Sequence, residues 1–225
     1  MQSATQLQPT PVDLAIVMAS SLFWTIAYIL IIWRCQRDRS FGIPAAALCC
    51  NVPWEGIIAA SHRVPSPLHE AALVWLALDF IMLYQCFRYG PDDFSHPVVK
   101  RWFRELLLIG LVLGFFVQWT FIAGYQDHFG RFSGTLNDLV LSALMPAMLL
   151  RRQSVRGQSF YIMAAILLGN VFGYAMTLMP YAPPPEMPHP FIHAMFLTMI
   201  VLHIFYLALY WRQSRSEGIH PLHRI

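Results

Sequence analysis

Lysine is nearly absent from this chain: fourteen of its fifteen basic residues are arginine, and the exception is Lys100. Charge of either sign is scarce as well, at 12% of 225 positions, about half the share of an ordinary soluble domain. The net charge of +3 sits in the segments between apolar runs. It suits lipid headgroups, not a nucleic-acid surface. A retinal-type Schiff base inside a bundle is excluded, because Lys100 falls in one of those segments. Cysteine is limited to Cys35, Cys49, Cys50 and Cys86, with no paired ligand spacing. These read as small apolar residues and not as disulfides or zinc ligands. Met1 to Pro11 carries no basic residue and runs straight into a long apolar stretch, so no cleavable signal peptide is expected. No sequence repeat links the two halves, which weighs against a transporter built by duplication.

Apolar length is what the chain has in abundance, with 57% hydrophobic residues. A helix crosses the hydrocarbon core with about 20 such residues. Seven runs meet that need or come close: 13–33, 43–61, 71–87, 105–124, 133–150, 158–179 and 190–211. Breakers separate them, among them Gly42-Ile43-Pro44, Pro65-Ser66-Pro67, Gly90-Pro91-Asp92 and Pro183-Pro184-Pro185. The expected fold is a single all-α integral-membrane domain over 1–225, a bundle of seven transmembrane helices. Thirteen of the fifteen basic residues fall on one side of these spans, leaving Arg63 and Arg131 on the other. The positive-inside rule then puts the N-terminus outside and the C-terminus in the cytoplasm.

Polar residues inside the spans carry the functional expectation, since an intramembrane ionisable group is costly. Glu55 closes the element Asn51-Val52-Pro53-Trp54-Glu55 in the second span. Pro53 has no N–H and frees the Cys49 carbonyl one turn earlier. At 1.5 Å per residue, Glu55 lies about 18 Å from the arginine-bearing side, and Asp79 in the third span reaches a similar level. Gln118 and Asn170 fall near that plane, Asn137 and Asp138 somewhat above it, and His203 below. Their shared layer predicts a polar chamber. Trp54, Trp75, Phe80, Trp119 and Tyr206 lie on the same spans and are expected to line it. Each residue also has a plain structural reading. Asn170 sits within Gly169-Asn-Val-Phe-Gly173, and Gly110 and Gly114 share that spacing, which marks close helix packing. Asp138 is near enough to the surface to be hydrated, and many of the aromatic residues belong to the core or the lipid-facing belt. His189 and His193 have the i,i+4 spacing of metal ligands, but with no third ligand nearby they read as interfacial residues.

Acids beneath an aromatic lining suit carbocation chemistry. A carboxyl shielded from water keeps its proton at neutral pH and can donate it, and aromatic faces stabilise the resulting cation. At this point Asn51-x-x-Trp54-Glu55, Trp75-x-x-x-Asp79 and Arg152-x-Ser154-x-x-Gly157-Gln158-Ser159 together resemble the small integral-membrane terpene cyclases. These comprise the fungal meroterpenoid and indole-diterpene cyclases and their bacterial relatives. The resemblance covers nearly the whole chain. It implies cyclisation of a prenyl chain on a second scaffold, begun by protonation of a terminal alkene or epoxide, with Glu55 as the acid. Fungal members place a second acid in the last helix, before a tyrosine; here His203 stands there, ahead of Tyr206. The second catalytic role stays open between His203, Asp79 and Asp138. Substrate contacts are expected from Asn51, Trp54, Trp75, Phe80, Gln118, Trp119, Asn137, Asn170 and Tyr206.

The Mg²⁺-diphosphate chemistry of soluble terpene synthases needs an aspartate-rich cluster. Asp92-Asp93-Phe94-Ser95-His96 lacks the last aspartate and lies in a loop away from the chamber. No metal and no cofactor are therefore expected. The expected partners are a prenylated hydrophobic small molecule and the bilayer, with no nucleic acid and no obligate protein partner. The scarcity of lysine suits GC-rich coding, hence a bacterial cytoplasmic membrane, or the endoplasmic reticulum for a fungal source. The rival reading is a proton-coupled small-molecule transporter using the same acids.

Overall fold

Thr10 begins the first helix with a capping box: its hydroxyl accepts the backbone N–H of Asp13 at 3.2 Å, and the Asp13 carboxylate accepts the Thr10 N–H at 2.9 Å. In the computed structural model, which describes residues 10–61, 63–178 and 189–225, α1 runs Pro11–Asp38 and α2 Ala45–Ala60. Helix α3 is Leu68–Tyr89, and a short 3-10 turn at Gly90–Asp93 leads to α4, Pro97–Gly124. Helices α5, α6 and α7 are Arg131–Arg152, Phe160–Thr177 and His189–Ser216. Proline opens α1 and α4, where a missing N–H costs nothing. Asp127 caps α5 by accepting the N–H groups of Arg131, Phe132 and Ser133 at 2.9, 3.1 and 2.8 Å. Three donors that a helix start leaves unpaired are thereby satisfied. All seven expected helices are present, no strand occurs among the described residues, and the proline turn at 183–185 lies outside them.

Six of the helices are long and apolar enough to cross a membrane, so this is a multi-pass membrane protein. Helix α2 has only 16 residues, about 24 Å, against about 30 Å of hydrocarbon. It is shorter than the expected span, and it is enclosed by α3, α4 and α5. Adjacent packing runs in the order α1, α6, α7, α5, α2, α3 and back to α1, with α4 laid outside against α2. Glycine sets the α2–α4 approach: a Cβ on Gly114 would sit 1.9 Å from the Cys49 carbonyl oxygen, the acceptor that Pro53 frees. The small-residue spacing in α6 also serves packing, for Gly169 lies against the Trp24 ring. All four cysteines are free thiols.

The arginine-bearing end is clasped by paired charges. The Arg152 guanidinium donates to Asp93 at 3.0 Å and to the Phe41 carbonyl at 2.9 Å, with the two charged side chains only 5% and 2% exposed. The Ser40 hydroxyl adds a 2.7 Å bond to the same carboxylate. Asp38 accepts the Gly157 N–H at 2.7 Å and pairs with Arg34 and Arg224. Gln158 donates to the Gly42 carbonyl at 2.7 Å. The Arg-x-Ser-x-x-Gly-Gln-Ser element therefore ties the α5–α6 turn to the α1–α2 turn. It lies at the end of the bundle.

Candidate active site

Asn51 and Glu55 share one face of α2, a helical turn apart. The Asn51 amide stands among three oxygens: Tyr28 Oη at 2.8 Å, Asp79 Oδ2 at 2.9 Å and Glu55 Oε1 at 3.1 Å. Tyr28, from α1, has its hydroxyl 2.7 Å from the same Glu55 oxygen. The Glu55 and Asp79 side chains also lie within hydrogen-bonding reach of each other, although both acids are fully buried. Each keeps one buried oxygen, Glu55 Oε2 and Asp79 Oδ1, with no donor. None of the ion pairs among the described residues includes either acid. Two carboxyls in contact, with no counter-cation and unpaired oxygens, are costly unless a proton sits between them.

A small cavity adjoins this cluster. Its walls are Trp24 and Tyr28 of α1, Ile43, Ala47 and Asn51 near and in α2, and Asn137, Asp138 and Leu141 of α5. Its volume is about 10 Å³, the room that one water molecule needs. Trp24 and Tyr28 meet edge to face on the α1 wall, with ring centroids 6.0 Å apart. The Asp138 carboxyl borders the cavity and has no hydrogen-bond partner among the described residues. Thus one acid faces the space directly, while Glu55 and Asp79 stand behind the Tyr28–Asn51 wall.

The other sequence-selected residues do not join one chamber; the polar layer breaks into separate clusters. The Gln118 amide donates to Asn137 at 2.6 Å. Asn170 lies 4.0 Å from the Met199 sulfur, with its carbonyl oxygen unpaired. The Ser142 hydroxyl donates to the Asp138 backbone carbonyl at 2.6 Å and lies 2.8 Å from His203 Nε2. Since that hydroxyl has only one hydrogen, Nε2 is the donor to it, and His203 Nδ1 is left buried without a partner. Tyr206 bonds to Gln158 and stacks near Tyr210 beside the clasp. A common depth did not bring these groups together, because each faces a different neighbour: Gln118 faces Asn137, His203 faces Ser142, Asn170 faces Met199 and Tyr206 faces Gln158.

Aromatic placement also departs from expectation. Phe80 and Trp119 are each 56% exposed and lie on the outer surface of the bundle, since Phe80 is turned about 100° from its neighbour Asp79. Trp54 donates to Ser133 Oγ at 2.8 Å and lies over Gly130 and Gly134, while Trp75 donates to Thr25 Oγ1 at 3.0 Å. Both indoles lock helices together and neither borders the cavity. The aromatic walls come instead from Trp24 and Tyr28, in the one span whose interior shows no charged or amide group to mark them. Among the described residues no three His, Cys, Asp or Glu side chains converge as for a metal ion.

The geometry defines a helical membrane bundle with two buried carboxyls, bridged by Asn51, behind an aromatic wall. Comparison with known proteins gives the class. A profile of the Pyr4-like transmembrane terpene cyclases matches residues 3–216, and the chain belongs to that family of membrane terpene cyclases. It is 25% identical over 211 residues to the terpene cyclase pyr4 of Aspergillus fumigatus, covering 89% of this chain and 86% of that one. It is 29% identical over 191 residues to the terpene cyclase andB of Emericella variicolor, covering 80% and 78%. To the Pyr4-family terpene cyclase mfmH of Annulohypoxylon moriforme it is 27% identical over 174 residues, covering 76% and 72%. No solved structure matches.

Proposed function

We propose that this enzyme cyclises a prenyl chain borne on a second scaffold by protonating its terminal alkene or epoxide. Glu55 is the general acid and Asp79 its partner. The observation that carries this reading is the Asn51 amide bridging the two buried carboxyls, Glu55 at 3.1 Å and Asp79 at 2.9 Å, with no ion pair to either among the described residues. Such a pair holds a proton, and an apolar guest has few other sources of one at this depth. Among the candidates for taking the final proton, Asp138 is favoured because it borders the cavity, whereas His203 is engaged by Ser142 and Asn170 packs on Met199. A proton-initiated step asks for no metal ion.

A bound small molecule of this class fills about 300 Å³ or more, so the guest has to part the cavity walls, chiefly α1 from α5. With the arginine-bearing end in the cytoplasm, the acids sit toward the outer half of the membrane; a reporter fused to the C-terminus tests that orientation. Fourteen arginines against one lysine support a bacterial cytoplasmic membrane, although the relatives named above are fungal.

Membranes bearing the enzyme, incubated with plain and epoxidised farnesylated and geranylgeranylated phenols and indoles, should convert at least one into a cyclic isomer. Glu55→Gln should lower that turnover about 10²–10⁴-fold while still inserting and purifying normally. Near-normal turnover in Glu55→Gln would remove Glu55 from the mechanism.

A further inference from the structure

We propose that Tyr28 delivers the initiating proton to the substrate, relaying it from Glu55; this rests on the cyclisation reading above. The geometry behind it is positional. Tyr28 borders the cavity, and Glu55 and Asp79 do not. The Tyr28 hydroxyl is the group that touches both the acid, at 2.7 Å, and the amide of Asn51, at 2.8 Å. A phenol has one hydrogen, which it gives to the Glu55 oxygen only when that oxygen has none of its own. When Glu55 carries its proton on the near oxygen, Tyr28 accepts from Glu55. Its own hydrogen then has to point elsewhere, and the cavity is the adjoining space. When Glu55 is ionised, the phenol turns and donates to it, and the cavity loses its donor. The same hydrogen bond is therefore a switch that offers a proton only when the carboxyl behind it is loaded.

The step balances without a co-reactant. The Tyr28 O–H bond breaks as its hydrogen bonds to the terminal alkene carbon, or to the oxygen of an epoxide. The Glu55 O–H bond breaks in concert and its hydrogen restores the phenol. Glu55 is left as a carboxylate, hydrogen-bonded by Tyr28 and Asn51, and the positive charge lies on the substrate beside the Trp24 and Tyr28 rings. Loss of a proton from the cyclised cation returns one hydrogen to the protein. Because phenol and carboxyl move together, the driving acid is the carboxyl, although the atom at the substrate is the phenol oxygen.

The test is single-turnover conversion of whichever panel compound wild-type membranes cyclise, with Tyr28→Phe and Glu55→Gln beside it. Tyr28→Phe should cut the chemical rate about 10²-fold or more with substrate affinity within about threefold. The wild-type rate, measured across mixtures of light and heavy water, should fall along a curve that requires two hydrogens in flight. A merely structural tyrosine would not produce that curvature. A straight line, or a near-normal rate in Tyr28→Phe beside a dead Glu55→Gln, means that the carboxyl acts directly; the relay falls and the cyclase reading stands. Full activity of Glu55→Gln, or no cyclic product from any panel member, removes both. If Tyr28→Phe fails to fold, the wild-type solvent-isotope curve alone decides.

Discussion

Two groups of acids in the bundle, apart from the α5 cap Asp127, are treated in opposite ways. At the arginine-bearing end, Asp93 has Arg152 and Ser40, and Asp38 has Arg34, Arg224 and a backbone N–H. Halfway along the helices, Glu55 and Asp79 have one amide, one phenol and each other, and each keeps an oxygen without a donor. Burial is deeper for Glu55 and Asp79, and partnership is poorer. A buried carboxylate matched by a guanidinium is held in one ionisation state and one position, which suits a clasp. A buried acid without a cation has nothing to fix its charge, so its proton is available for chemistry. Under the proposed function, counter-charge distinguishes the clasp acids from the pair assigned to chemistry.

The widest break in that contrast is Glu55→Gln, expected to lose activity about 10²–10⁴-fold with thermal stability little changed. Tyr28→Phe follows, at about 10²-fold under the relay. Arg152→Ala should do the converse. It leaves Asp93 buried and unpaired, costing about 3–5 kcal/mol of stability, while the folded fraction keeps its specific activity; thermal unfolding in detergent alongside turnover per folded molecule measures both. If Arg152→Ala instead lost turnover at full stability, the clasp would belong to the chemistry and the contrast would fail. Asp138→Asn retains shape and removes the base nearest the cavity. It should slow turnover roughly tenfold, within the range of acid–base contributions, and spread the products over additional double-bond isomers, seen by mass spectrometry and NMR. Phe80→Leu, on the outer face, should alter the rate less than about twofold, since exposed substitutions seldom matter.

Much of this was readable in the chain. Seven apolar runs became seven helices because hydrocarbon forces every backbone N–H and C=O into internal hydrogen bonds, and the glycine, proline and arginine stops mark their ends. Asn51, Glu55 and Asp79 stood out for the same reason, since polar groups at that depth are rare. Other residues were misleading for reasons equally physical. Phe80 is adjacent to Asp79 in sequence and on another face in space. Gln118 donates to the Asn137 carbonyl, a pairing that neither helix alone can announce. Tyr28 gave no signal at all, because a phenol in an apolar span resembles any core or belt aromatic until its hydroxyl is seen against a carboxyl.

Hydropathy and charge by themselves determined the class, the number of helices and the level at which acids are buried, because those follow from one-dimensional lengths measured against a bilayer. Tertiary structure alone decided which faces meet: that Asn51 bridges two carboxyls from different helices, that Tyr28 and Trp24 wall the cavity, and that Asp38 and Asp93 are neutralised by arginines far away in the chain. Rotation of each helix about its own axis is set by the neighbours it packs against, through contacts such as Gly114 on Cys49 and Gly169 on Trp24, and no single span contains that information.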